Sequence, residues 1–163
     1  MSPEEKIKNE IIQNFGYAYK AFGLSKIMGH VIALLMFSPV PLSLDEICEN
    51  LNRSKGPVSQ IMRRLRDKNL IRRVWQPAGR KDYYEIQPEI FENAFRNNLE
   101  LVKNNTRLAQ SLSESVKKEK SESLDKLRGR LNEMHLFYLL MEKHFERFLN
   151  EWTKERKKSI TKK

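Results

Sequence analysis

The strongest hydrophobic pattern lies near the end of the chain, where nonpolar residues recur at alternating intervals of three and four. This spacing is typical of an amphipathic helix with one continuous nonpolar seam, and it predicts a helix over residues 123–157. A single helix cannot shield such a seam from water, so the seam packs on the preceding helix, on a second copy of the chain, or on both. The predicted dimerisation seam consists of Leu124, Leu127, Leu131, Met134, Tyr138, Met141, Phe145, Phe148 and Trp152.

Helical patterns also occupy both sides of the middle of the chain. Ser2 and Pro3 suit the N-cap and the first position of a helix that runs to about Phe22. A second, mainly nonpolar helix covers residues 24–37 and ends before two closely spaced prolines. Nonpolar residues return at helical spacing over residues 88–116, which predicts a long helix before the C-terminal one.

Two short helices are predicted in the middle of the chain. Ser43 followed by Glu46 is a capping box, which opens a helix over residues 44–51. Ser54 is placed to cap a second short helix, and Asn69 can close that helix in a left-handed conformation. The brief connection between them is typical of a helix-turn-helix.

The pattern then changes from helical to β. Residues 70–75 and 82–86 are rich in β-branched and aromatic residues, and the turn sequence at 76–79 joins them into a hairpin with a basic tip. Two short helices followed by such a hairpin predict a winged helix-turn-helix. The predicted fold is mainly α with a small β-hairpin: a winged helix-turn-helix DNA-binding domain over residues 1–87, and a helical dimerisation region with a basic tail over residues 88–163.

Charge is unevenly distributed along the chain, which has a net charge of +10. The segment from Arg53 to Lys81 holds ten cations and one acid, and residues 154–163 hold six cations and one acid. The other residues together therefore carry −4. A basic island in an otherwise acidic chain indicates a polyanionic partner such as nucleic acid, and an ordinary solvated basic surface is the alternative.

The second short helix has one nonpolar side and one polar side. Its nonpolar residues, spaced for burial, are Val58, Ile61, Met62 and Leu65. On the opposite side, Gln60 can pair with adenine and Arg63 with guanine in a major groove. The predicted DNA-binding residues of this helix, of the turn before it and of the hairpin tip are Arg53, Ser54, Lys55, Gly56, Ser59, Gln60, Arg63, Arg64, Arg80 and Lys81.

The start of this helix is nearly bare backbone, because Gly56 and Pro57 lie in its first turn. First-turn amides have no partner within the helix, so Pro57 loses little there. Pro57 has no amide for Ser54 to bond, and we therefore expect Ser54 to cap the amide of Gly56. A glycine also lets a phosphate approach the positive end of the helix, where Lys55 adds charge.

Three pieces of the middle region resemble a known family when taken together: SLDEI, SKGPVS and VWxPxxRKDYYE, the last spanning residues 74–85. At these spacings, and with the upstream GLSKIMGHVIALLMFS, they are similar to the GbsR branch of the MarR-like transcriptional regulators. The resemblance covers residues 24–86, roughly two fifths of the chain. In that family an acid often precedes the wing arginine and steadies it, whereas here Ala78 and Gly79 precede Arg80.

The resemblance implies a homodimeric DNA-binding repressor or activator that contacts double-stranded DNA and pairs through its terminal helices. It implies a recognition role for Ser54, Lys55, Gly56, Ser59, Gln60 and Arg63, and a wing role for Arg80. Some members respond to choline-like cations, so a small-molecule effector of unknown identity is a further partner. Aromatic residues that either form walls of such a pocket or belong to the core and dimer seam are Tyr17, Tyr19, Phe22, Phe137, Tyr138 and Phe145.

Two further questions stay open at the level of sequence. Trp75, Tyr83 and Tyr84 either touch DNA or pack the hairpin onto the domain, and we expect packing. The second functional hypothesis is a helical protein-interaction module or a non-specific architectural DNA-binding module, which would show little preference among DNA sequences.

Several other classes of protein are not expected. Cys48 is the only cysteine, which excludes an internal disulfide and suits a reducing, cytoplasmic location. The longest mainly apolar stretch, residues 27–37, is shorter than the roughly 20 residues that a membrane span needs. His30, His135 and His144 lack the spacing of a metal site, and no phosphate loop or nucleophile motif is present. We expect no metal, no cofactor and no enzymatic activity.

Overall fold

The computed structural model describes residues 1–77 and 80–161, which form parts of two compact units, Met1–Ala94 and Phe95–Lys163. The boundary between the units lies inside the fifth helix, whereas the sequence placed it after residue 87. The elements are α1 (Pro3–Ala21), α2 (Lys26–Phe37), β1 (Leu42–Ser43), α3 (Leu44–Leu51), α4 (Lys55–Asp67), β2 (Ile71–Val74), β3 (Tyr83–Ile86), α5 (Ile90–Lys117) and α6 (Asp125–Thr161).

Parts of two predicted features lie outside the described residues. The turn at the hairpin tip includes residues 78 and 79, and the basic tail includes residues 162 and 163. The predicted helices are otherwise confirmed, with ends that differ by a few residues. The second helix begins at Lys26, because Gly23 has a positive φ of 74° in the preceding turn. One turn of 3-10 helix, Glu122–Leu124, precedes α6.

Two of the three capping features predicted for α3 and α4 are present in the structure. The capping box of α3 is confirmed: the Glu46 amide donates to Ser43 Oγ at 3.3 Å, and the Ser43 amide donates to Glu46 Oε2 at 2.7 Å. Asn69 adopts the predicted left-handed conformation after α4, with a φ of 59°. The cap of α4 was predicted wrongly, because Ser54 is the N-cap residue but its side chain makes no capping hydrogen bond to Gly56.

The predicted hairpin is confirmed as part of a three-stranded antiparallel sheet in the order β1-β3-β2. Arg72 pairs with Glu85 and Arg73 with Tyr84 across β2 and β3. Strand β1 was not predicted, since two residues have too little pattern to identify a strand. It pairs with β3 through Ser43, the residue that also starts α3, so the sheet and the helix-turn-helix are joined at that point.

The core of the first unit is built around α2, in which Val31, Ile32 and Leu34 are almost completely buried. Helices α1 and α2 approach each other closely where Gly16 faces His30. The His30 ring is buried, and this burial lowers its pKa, helped by the positive charges of Lys26 and Arg53. A neutral imidazole therefore forms part of this helix contact.

The second unit contains an antiparallel contact between α5 and α6. The Phe95 ring lies 4.7 Å from the Phe145 ring and 4.6 Å from the Phe148 ring, between centroids. Further along α5, Thr106 Oγ1 donates to Glu142 Oε2 at 3.1 Å. Part of the predicted seam thus packs on the preceding helix, which its pattern allowed with or without further packing on a second copy of the chain.

Other nonpolar residues of α6 point away from this contact. Leu136, Phe137 and Leu140 have exposed fractions of 67%, 62% and 53%. They are spaced to share one side of the helix, roughly opposite the buried Leu131 and Leu149. We call Leu136, Phe137 and Leu140 the outer apolar face of α6.

Candidate nucleic-acid interface

The polar side of α4 faces solvent because its nonpolar side is anchored in the core. Val58, Ile61, Met62 and Leu65 are all buried, and Val58 and Leu65 are fully so. The side chains that could contact DNA bases, Gln60 and Arg63, are exposed. All the DNA-binding residues predicted from the sequence lie at the surface of the first unit: Arg53, Ser54, Lys55, Gly56, Ser59, Gln60, Arg63, Arg64, Arg80 and Lys81.

The start of α4 is open to an approaching molecule. A Cβ atom built on Gly56 would meet no heavy atom within 4 Å. The hydroxyl of Ser54 does not cap the helix, and Pro57 has no amide hydrogen, so the first turn offers little but backbone. A helix end of this kind presents positive potential to an anion, since its first amides lack partners inside the helix.

An ion-pair cluster joins the start of α4 to the start of β3. Asp45, in the first turn of α3, accepts from Lys55 at 2.5 Å through Oδ1 and from Lys81 at 2.9 Å through Oδ2. Hydrogen bonds from Lys55 and Lys81 lower the pKa of the Asp45 carboxyl, so it is charged at neutral pH. The same contact raises the pKa of Lys81. We call Asp45, Lys55 and Lys81 the lysine–carboxylate cluster.

No sequence pattern indicates that Asp45 belongs to this site. An acid in the first turn of a helix is ordinarily explained by the helix dipole, and its two partners lie 10 and 36 residues further along the chain. Only the pairing of β1 with β3 brings the start of α3 beside Lys81. In this chain an acid from α3 therefore holds a cation of the wing.

The wing strands carry internal ion pairs as well. Arg72 pairs with Glu85 at 2.5 Å, and Arg73 pairs with Asp82 at 2.9 Å, so these two cations have carboxylate partners of their own. By contrast, Arg63 and Arg64 form no ion pair with any described residue. The outer side of α4 therefore carries positive charge that has no carboxylate partner among the described residues.

The hairpin aromatics are divided between core and surface. Tyr84 is buried and lies in the core of the first unit, as expected for a residue that packs the hairpin onto the domain. Tyr83 is partly buried. The packing expectation was wrong for Trp75, which is 79% exposed because it follows the end of β2. An exposed indole beside the hairpin tip is available for contact with a partner.

No three His, Cys, Asp or Glu side chains within residues 1–77 and 80–161 are grouped so that they could hold a metal ion. In the described part of the chain, no helix is both long enough and apolar enough to cross a membrane. The basic surface around α4 is thus the best-defined candidate site in the described residues.

The fold and this surface define a class of protein: a winged helix-turn-helix protein with a basic outer side on its second helix. No protein-family model matches the chain. The chain is 24% identical over 159 residues to YvaV of Bacillus subtilis (strain 168), provisionally named an HTH-type transcriptional regulator, with 90% of each chain covered. It is 25% identical over 88 residues to OpcR of the same strain, named an HTH-type transcriptional repressor. That second match covers 54% of this chain and 48% of OpcR.

A solved structure supports the fold independently of these relatives. A crystal structure described as a transcriptional regulator superposes with a TM-score of 0.77 at 20% identity. The superposition covers 90% of this chain and 98% of the other. The homologues of this chain are therefore helix-turn-helix transcriptional regulators, and its predicted fold class is confirmed.

Proposed function

We propose that this chain is a sequence-specific DNA-binding transcriptional regulator of the GbsR-like branch of MarR-like proteins, acting as a homodimer and as a repressor. One observation carries the proposal: the buried side of α4 consists of its four nonpolar residues, while every predicted DNA-binding side chain of α4 and the wing is exposed. The names of the homologues agree with this function.

In the proposed complex, α4 enters the major groove of the duplex. Gln60 and Arg63 read base edges, because an amide suits adenine and a guanidinium suits guanine. Lys55 and the wing cations Arg80 and Lys81 bind phosphates, which position the protein without reading sequence. Two such helices in a dimer would lie about 34 Å apart, which is one helical turn of duplex.

Substitutions in α4 separate base reading from phosphate binding. Arg63→Ala is expected to weaken binding to the preferred sequence by roughly 1–3 kcal/mol and to relax preference at one base position. Lys55→Ala is expected to weaken binding to preferred and non-specific sequences and to reduce its salt dependence. Selection of bound fragments from a random DNA pool supplies the preferred duplex, and gel-shift titration then measures each affinity.

The control for this pair is Lys20→Ala, which removes an exposed cation from the end of α1 and should leave DNA binding close to that of the parent. If Arg63→Ala and Lys55→Ala also matched the parent, the proposed role of α4 would be wrong. If the parent bound all duplexes equally, the protein would be a non-specific architectural binder instead.

The outer apolar face of α6 supports the proposed homodimer. Three large nonpolar side chains on one side of a helix are unfavourable in water and favour burial against a partner. Leu140→Glu is expected to shift the protein from a dimer to a monomer of 19.4 kDa, measured by sedimentation equilibrium. Val40→Glu, which changes a residue of similar exposure in a loop, should leave the mass unchanged. A parent protein that sediments as a monomer would contradict this proposal.

A further inference from the structure

The lysine–carboxylate cluster lies at the point where three parts of the proposed DNA-binding surface meet. Asp45 comes from the first turn of α3, Lys55 from the first turn of α4, and Lys81 from the chain just before β3. The cluster borders an open cleft of about 240 Å³, which is also lined by Ser43 and Tyr84. The side chains of Lys55 and Lys81 are 68% and 64% exposed, so an anion arriving from solvent can reach both.

The Asp45 carboxylate binds the ammonium groups of Lys55 and Lys81 in the way that a phosphate would. Its two oxygens each accept from a different ammonium group, at 2.5 Å from Lys55 and 2.9 Å from Lys81. A phosphodiester likewise presents two anionic oxygens a short distance apart, and ammonium groups bind it as point charges. A DNA phosphate that approached the start of α4 would therefore compete with Asp45 for the same two cations.

The cluster could help DNA binding by holding the lysines in place, or oppose it by occupying them. Ion pairs between exposed side chains contribute little to stability and are screened by salt, so the benefit of holding the lysines is small. A cation that binds a DNA phosphate releases a condensed counterion, and this supplies essentially all of non-specific affinity. Competition is therefore the larger effect.

We propose that Asp45 is an internal competitor for DNA phosphate, which engages Lys55 and Lys81 in the free protein and so restrains binding to duplexes that lack the preferred sequence. The inference rests on the proposed function. On non-specific DNA the protein can shift to whichever phosphates suit freed lysines best. On the preferred sequence, base contacts from α4 fix the register of the protein on the duplex. Lysines released from Asp45 therefore add less affinity there. Asp45 thus acts as a specificity-determining residue that touches no base.

The test compares Asp45→Asn with Glu49→Gln, which removes the same charge from an exposed position one turn later in α3. Affinities for a non-specific duplex and for the selected duplex are measured by fluorescence anisotropy between about 50 and 200 mM salt. For Asp45→Asn we expect affinity for the non-specific duplex to rise about three- to tenfold at 100 mM salt, and the slope of log affinity against log salt to steepen by about one to two. Affinity for the selected duplex should rise less, and Glu49→Gln should change each value much less.

Asp45→Ser serves as a second variant, because serine is also tolerated at the start of a helix, and thermal unfolding checks that both variants fold. If Asp45→Asn and Asp45→Ser match Glu49→Gln, or bind the non-specific duplex more weakly than the parent, the competitor role is overturned while the proposed function stands. A parent protein that binds neither duplex would overturn both.

Discussion

Leu65→Ala is expected to lower the free energy of unfolding by about 2–5 kcal/mol, measured by urea denaturation followed by circular dichroism. Leu65 lies on the inner side of α4 and has no exposed surface. Truncation to alanine removes its buried methyl groups and leaves a cavity, and both changes destabilise the fold. Because the same helix carries Gln60 and Arg63 on its outer side, DNA binding should be lost when this variant unfolds.

Leu65→Met is the matched control. Methionine has a similar volume and a flexible side chain, so this change should cost less than about 1.5 kcal/mol. Both variants lack leucine, but only Leu65→Ala loses side-chain volume. The difference between their free energies of unfolding therefore measures the cost of the lost volume and its cavity. A loss below about 1 kcal/mol for Leu65→Ala would show that α4 is not held in place by its nonpolar residues.

Gly29→Ala is the second change with a large expected effect, a destabilisation of about 1–3 kcal/mol or more in the same denaturation assay. A Cβ atom at residue 29 would lie 2.7 Å from the carbonyl carbon of Phe15 and 2.9 Å from the amide nitrogen of Gly16. Both are backbone atoms of α1, which cannot rotate away as a side chain can. The helices would have to separate, and this would open the core around α2.

Gly129→Ala makes the same chemical change without the clash. Gly129 lies in α6, and a Cβ there would meet no atom within 4 Å. Alanine at this position should stabilise the protein by roughly 0.5–1 kcal/mol, because glycine loses more backbone freedom on helix formation. Gly29→Ala is therefore expected to lower the free energy of unfolding, and Gly129→Ala to raise it. A stabilising Gly29→Ala would mean that α1 and α2 are not packed as closely as described.

Local chemistry was enough to predict much of the winged helix-turn-helix. The capping box at Ser43 and Glu46 and the left-handed Asn69 depend on neighbours within a few residues, and both are confirmed. The buried and exposed sides of α4 follow from helical periodicity alone. The hairpin was recognisable because two β-rich segments flank a turn sequence. Its DNA-binding role stays a prediction for the proposed experiments to test.

Features that depend on distant parts of the chain were missed or left open. Strand β1 exists only because β3 lies beside it, and a two-residue segment has no detectable period. The pairing of Asp45 with Lys81 depends on that same strand contact. The seam of α6 was compatible with packing inside the chain or against a second copy, and periodicity cannot distinguish these two arrangements. Trp75 was misjudged because its exposure depends on where β2 ends.

Ser43 limits how this domain can be rebuilt. Its backbone belongs to the strand that pairs with Tyr83, and its side chain and amide belong to the cap of α3. A hairpin grafted from another protein would meet this serine at its free edge, and a poor fit there would also disturb the first turn of α3. Chimeras that exchange DNA preferences should therefore transplant residues 42–86 as one cassette instead of moving the hairpin alone.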